Sequence, residues 1–173
     1  MGLGTTMKSA VFGLVAIGLA ALPLCGCSSV LNGGSAYGTS GKVASLDLPS
    51  IGNITADVAL VEARGHFRNS DFGYSAALYK KVVELNPKDP QGYVGLGASY
   101  DRLGRFDLSD RVYATLFQIS GGTAQYYNNL GYSYLLRGNL PQALSNFRKA
   151  KAMAPDNAVV ANNLQILAKA SAA

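Results

Sequence analysis

At 173 residues the chain is long enough for one domain with its own core or for a short array of repeats. Fifteen basic residues against ten acids give a net charge of +5, and beyond Asp110 the only acid is Asp156. A single histidine and two cysteines, both before residue 28, exclude a histidine-based metal cluster and a spread of structural disulfides.

The chain opens with one charge, Lys8, followed by the apolar run "AVFGLVAIGLAALPL" over residues 10–24. Fifteen residues fall short of the ~20 that an α-helix needs to span a bilayer. A basic residue, an apolar segment of this length and small residues after it describe a secretory signal instead. "MGLGTT" also fits the myristoylation pattern, but that reading leaves the apolar run unexplained.

The run ends in "LCGC", residues 24–27. A disulfide between cysteines two apart is strained. A C-x-C metal site needs further ligands, and the rest of the chain offers only His66. The tetrad resembles the bacterial lipoprotein lipobox: an aliphatic residue, a tolerant position, a small residue, then the cysteine to be acylated. Gly26 precedes Cys27, whereas Leu24 precedes Cys25, so the resemblance implies lipidation of Cys27 and loss of Cys25 with a leader of residues 1–26. Ser28, in place of the aspartate that retains such proteins at the inner membrane, leans the expected location to the outer membrane, facing the periplasm. Several acyl chains exceed what stable anchoring needs.

Residues 27–55 then read as a tether. The stretch "SSVLNGGSAYGTSGKVASLDLPSIGNIT" is rich in glycine and serine, lacks a period and carries only Lys42 and Asp47. Such a chain of ~28 residues has a mean reach of about 30 Å, at ~5–6 Å × √n.

From residue 56 a period of 34 appears. "YVGLGASYDRLGRF" aligns with "YNNLGYSYLLRGNL"; Leu96 recurs as Leu130 and Leu164, Gly97 as Gly131, Tyr100 as Tyr134, Gly104 as Gly138. In the second half of each unit Tyr79, Tyr113 and Phe147 share a phase, as do Leu85, Ile119 and Met153. Tyr127, Leu130 and Tyr134 recur at the spacing of one helix face. Gly131 and Ala143 are small where two helices cross. Gly138 suits a helix end, Pro141 a first turn, and Pro155 a stop.

A period of this length and pattern resembles the tetratricopeptide repeat, most closely in "NNLGYSYLLRGNLPQALSNFRKAKAMAPDN", residues 128–157. The resemblance implies an all-α solenoid of about three helix hairpins, at 56–89, 90–123 and 124–157. A capping helix comes next within 158–170, making seven helices in a domain of residues 56–170. The first unit is degenerate, with Glu62 in the leucine position and Ala63 in that of the glycine.

Nothing in this pattern gathers catalytic groups. His66 falls in the phase of Tyr100 and Tyr134, which reads as packing, and the glycines of "GYVGLGASY" lie inside a helix rather than in a dinucleotide-binding turn. The expectation is a non-enzymatic protein with no cofactor, no metal, no nucleic acid and no small-molecule substrate.

In repeat arrays of this family the first helix of each hairpin lines a concave groove that takes peptides or a partner helix. The residues whose phase faces it are Arg64 and Arg68, then Ala98, Asp101 and Arg102, then Asn129, Tyr132 and Leu136, with Asn163 on the cap. Asn129 and Asn163 carry both a donor and an acceptor for a ligand's backbone. Leu135 and Leu136 cannot both face the hairpin core, so one of them reaches the groove. The order of lipobox, tether, three repeats and cap resembles the small lipoproteins of tight-adherence (Flp) pilus assembly and, less closely, the pilotins that escort secretins. It implies an adaptor binding a secretin or pilus component. The alternative is an accessory subunit that positions a cell-wall enzyme, its basic half lying along anionic peptidoglycan.

Overall fold

The computed structural model describes residues 53–172. The leader, the Cys27 lipobox and nearly all of the tether lie outside the described residues. Seven helices make up the described part: α1 (Ala56–Arg68), α2 (Phe72–Leu85), α3 (Pro90–Arg102), α4 (Phe106–Ser120), α5 (Ala124–Leu136), α6 (Leu140–Met153) and α7 (Ala158–Ser171).

The 34-residue period is written into the helix ends. The first helix of each unit starts on a side chain that accepts a backbone N–H of its first turn: Thr55, Asp89, Thr123 and Asn157. Such a cap stabilises a helix by roughly 1 kcal/mol. Each hairpin closes through the same reverse bond, with N–H to carbonyl pairs Asp71–His66, Arg105–Tyr100 and Asn139–Tyr134. That geometry needs a left-handed residue just past the helix. Gly104 (φ 69°) and Gly138 (φ 74°) supply it, and Ser70 (φ 64°) does so in the first hairpin.

Each hairpin closes on an aromatic ring from its second helix. Tyr79, Tyr113 and Phe147 are all buried. The facing first helix is stripped of side chains to admit them. A Cβ on Gly97 would lie 2.8 Å from the Tyr113 ring, and one on Gly131 2.7 Å from Phe147. Tyr79 instead reaches across to the next unit, where a Cβ on Gly95 would lie 2.1 Å from its ring. Three core clusters form, around Tyr79 and Leu96, around Tyr113 and Leu116, and around Phe147 and Leu167. Among the described residues, the members of all three clusters fall between residues 54 and 167.

Neighbouring first helices touch: α1 meets α3, α3 meets α5 and α5 meets α7. The second helices α2, α4 and α6 make no such contacts with one another. The row therefore bends, with the first helices on the inside of the curve.

Candidate functional site: the concave groove

The inner side holds a groove of about 460 Å³. Its walls repeat by phase. Ala98, Tyr132 and Ile166 form one row, Val94, Asn128 and Asn162 a second, Gly95, Asn129 and Asn163 a third. An adjoining apolar pocket of about 550 Å³ shares Tyr132 and Ile166 and adds Phe106, Leu135, Leu136 and Ala170.

Of the residues expected to face the groove, Ala98, Asp101, Arg102, Asn129, Tyr132 and Asn163 line it together. Leu136 lines the adjoining pocket, and so does Leu135, both half-buried beside Ile166 and Ala170 of α7. Arg64 and Arg68 are exposed on α1 but do not line the groove. Arg64 donates to Gln91 at the start of α3, a hydrogen bond that joins the first two hairpins. His66 stacks on Tyr74 at 5.2 Å between centroids, with Asp71 3.4 Å from its Nδ1, away from the groove.

Asp101 corrects the sequence expectation of a carboxylate offered to a partner. It is 4 % exposed and already occupied. Tyr113 donates to Oδ2 at 2.8 Å and Ser133 to Oδ1 at 2.6 Å. Ser133 in turn accepts from Arg137, whose guanidinium grips Asp110 through both terminal nitrogens at 3.0 and 2.8 Å. Burial pushes the Asp101 carboxyl above its ordinary range, and the hydrogen bonds it accepts and the nearby Arg137 charge offset only part of that. The same burial, with the Asp101 charge beside it, holds Tyr113 protonated well past its usual range. This network ties the second hairpin to the third and forms part of the groove floor.

The amides are arranged differently. Asn163 donates to Asn128 Oδ1 at 2.9 Å, and Asn128 turns its own NH2 toward Asn129 Oδ1 at 3.5 Å. Among the described residues this leaves the Asn129 NH2 and the Asn163 carbonyl without a partner. One donor and one acceptor on the groove wall match the C=O and N–H of an extended chain. Asn128 and Asn162 were missed by sequence reasoning, although their own 34-residue spacing marks them. Arg102 adds a cation at the α3 end, its guanidinium 4.3 Å from the Phe72 ring centre. Among the described residues no three His, Cys, Asp or Glu side chains gather as metal ligands would.

Models of the tetratricopeptide repeat match residues 60–116 and 124–157. The hairpins are tetratricopeptide repeats. Among solved structures, the first tetratricopeptide domain of human RPAP3 superposes with a TM-score of 0.60 at 18 % identity, over 68 % of this chain and 93 % of that one. The same domain of Spaghetti (RPAP3), bound to the HSP90 peptide SRMEEVD, gives 0.58 at 18 % identity, over 69 % and 94 %. PcrH, in complex with the chaperone-binding region of PopD, gives 0.57 at 18 % identity, over 67 % and 90 %. At such identities the likeness concerns the fold. Tetratricopeptide repeats generally serve as non-catalytic scaffolds for protein–protein interaction, and this array has the concave face that such binding uses.

Proposed function

We propose that this protein is a non-catalytic, lipid-anchored adaptor that holds an extended segment of a protein partner in its concave groove. The observation that carries the reading is the wall of amides, with one donor and one acceptor left over, continuing into an apolar pocket. A backbone segment pairs with Asn129 and Asn163, and bulky apolar side chains enter between Leu136 and Ile166. Tetratricopeptide neighbours that hold an HSP90 peptide or a region of PopD support peptide capture as the mode.

Acylation at Cys27 places the adaptor on the outer membrane, facing the periplasm. The order of leader, tether and repeats supports a place in pilus (tight-adherence) or secretin assembly. The test is a cross-linked pull-down of the full-length protein from native membranes, read by mass spectrometry. The control carries Asn129→Ala and Leu136→Asp. Secretin or pilus components should accompany the unaltered protein and fall at least tenfold in the control. Cell-wall enzymes alone, or no loss in the control, would sink the assembly role. The intact mass of the purified protein checks the anchor: it should begin at an acylated Cys27.

A further inference from the structure

The array has two rims. The hairpins turn at residues 69–71, 103–105 and 137–139 on one of them; on the other, first helices begin and second helices end. The large apolar side chains left exposed are not shared evenly. Val58 and Val159 stand in the opening turns of α1 and α7, and Leu85, Phe117 and Met153 in the closing turns of α2, α4 and α6. All five lie on the second rim. Among the described residues only Tyr74, stacked on His66, is an exposed large apolar side chain near the turns, and Val61 lies mid-helix. A single exposed apolar residue is ordinary on any surface, but a row confined to one rim is not.

Amphipathic groups surround the row. Phe117 packs on Tyr126, which meets Tyr127, and the Lys149 ammonium is 5.1 Å from the Tyr127 ring centre. Lys88 is exposed in the link after Leu85, and Lys151 donates to the carbonyl of Pro155. Acids stand there too: Asp57 in the opening turn of α1, Glu84 beside Leu85, Asp89 as a helix cap and Asp156 in the last link. The rim is therefore nearly balanced in charge, and its apolar tips set its preference. Aromatic rings and lysines around apolar tips are the composition of groups that settle at a bilayer interface.

The chain enters at this rim. Thr55 caps α1 there, and the residues before it lead back through the glycine/serine-rich stretch to Cys27 and the apolar run. Only 25 residues, 28–52, separate Cys27 from Asn53. The helices they carry are themselves only about 20 Å long, at ~1.5 Å per residue. Acylation at Cys27, as proposed above, would bring a bilayer to within that short length of chain from the entry rim, raising its local concentration there.

We propose that this rim is a membrane-docking edge. The array stands on the phospholipid surface with Leu85, Phe117 and Met153 in the headgroup layer, so that the groove opens sideways above it. The proposal rests on the anchoring reading only for the bilayer being nearby.

The test separates the two. Residues 53–173, which contain the three core clusters and no cysteine, are made with Asn53→Cys and coupled to maleimide lipids in phosphatidylcholine vesicles. Hydrogen exchange is then compared with the uncoupled protein. Amides at 84–89, 117–123 and 151–160 should slow at least threefold, and those at 103–106 and 137–140 should not change. Met153→Asp with Phe117→Asp should abolish the difference while retaining the helical spectrum; Met153→Asp alone, at a 55 % exposed position, should at least halve it if the double variant does not fold. Protection of both rims alike, protection unmoved by the substitutions, or protection that tracks protein density on the vesicle overturns the proposal, the last by making the rim a contact between copies. A full-length protein lacking acyl chains on Cys27 would overturn the anchor and leave rim docking standing.

Discussion

Ser70 is where one residue departs from the rule its neighbours obey. Gly104 and Gly138 take the left-handed conformation at no steric cost, but at the same place in the first hairpin Ser70 adopts φ 64° with a Cβ in the way. Replacing it by glycine removes a strain of about 1–2 kcal/mol, offset in part by the greater freedom of glycine in the unfolded chain. Ser70→Gly should therefore stabilise the domain by about 0.5–1 kcal/mol, read as a higher urea midpoint with an unchanged slope. The sequence carried this signal, since Ser70 is 34 residues before Gly104, yet the degenerate first unit hid it. The four capping residues were legible in the same way, as Thr55, Asp89, Thr123 and Asn157 recur at the repeat length.

Between elements, the tie from α3 to α4 and α5 runs through Asp101, and here the sequence was less informative. Its phase placed Asp101 on the groove side, and it lines the floor there, but phase says nothing of depth. Ser133, one repeat after Ser99, is a hydroxyl where a helix crossing would accept alanine, and only the packed structure shows that it feeds a carboxylate. Because burial raises the folded-state pKa of Asp101, the folded protein holds that proton more tightly than the unfolded chain. The stabilisation linked to the proton is present at low pH and is lost as pH rises from the ordinary carboxylate range through the raised value. Asp101→Asn retains an acceptor without the charge. Its stability relative to the unaltered protein should therefore improve, in thermal melts, as pH rises from the ordinary carboxylate range through the raised value, and then level off. Asp101→Ala, which strands the hydroxyls of Tyr113 and Ser133, should cost on the order of 3 kcal/mol at pH 7. A flat difference between the asparagine variant and the parent across that range would show that the proton is not coupled to folding.

For the array as a whole, the period alone made the architecture legible: among the described residues three stacked hairpins and a capping helix arise from a 34-residue repeat because each hairpin has an apolar face that only its neighbour can cover. The groove was legible row by row for the same reason. Arg64 and Arg68 lay beyond that reach: both are exposed on α1 and outside the groove lining, and Arg64 reaches across to Gln91 of α3. Stability in such a row is a sum of unit and interface contributions. The last interface is the one α7 makes with α6 and α5. Leu167 and the half-buried Leu164 of α7 pack on the cluster of Ala143 and Phe147, both 0 % exposed, and Asn163 holds Asn128. Ending the chain at Asn157 would uncover that cluster, at about 2–5 kcal/mol for losing a leucine-sized buried contact or more. The loss should be local. Amide exchange in α5 and α6 should speed up by at least tenfold, whereas α1 and α2, two interfaces away, retain their protection. The apolar pocket beside Leu136 loses Ile166 and Ala170 in the same step, so a partner segment seated there should be released while the first hairpins stay folded. Uniform loss of protection across all remaining helices would instead show that the row folds as one cooperative unit, with α7 securing the whole array.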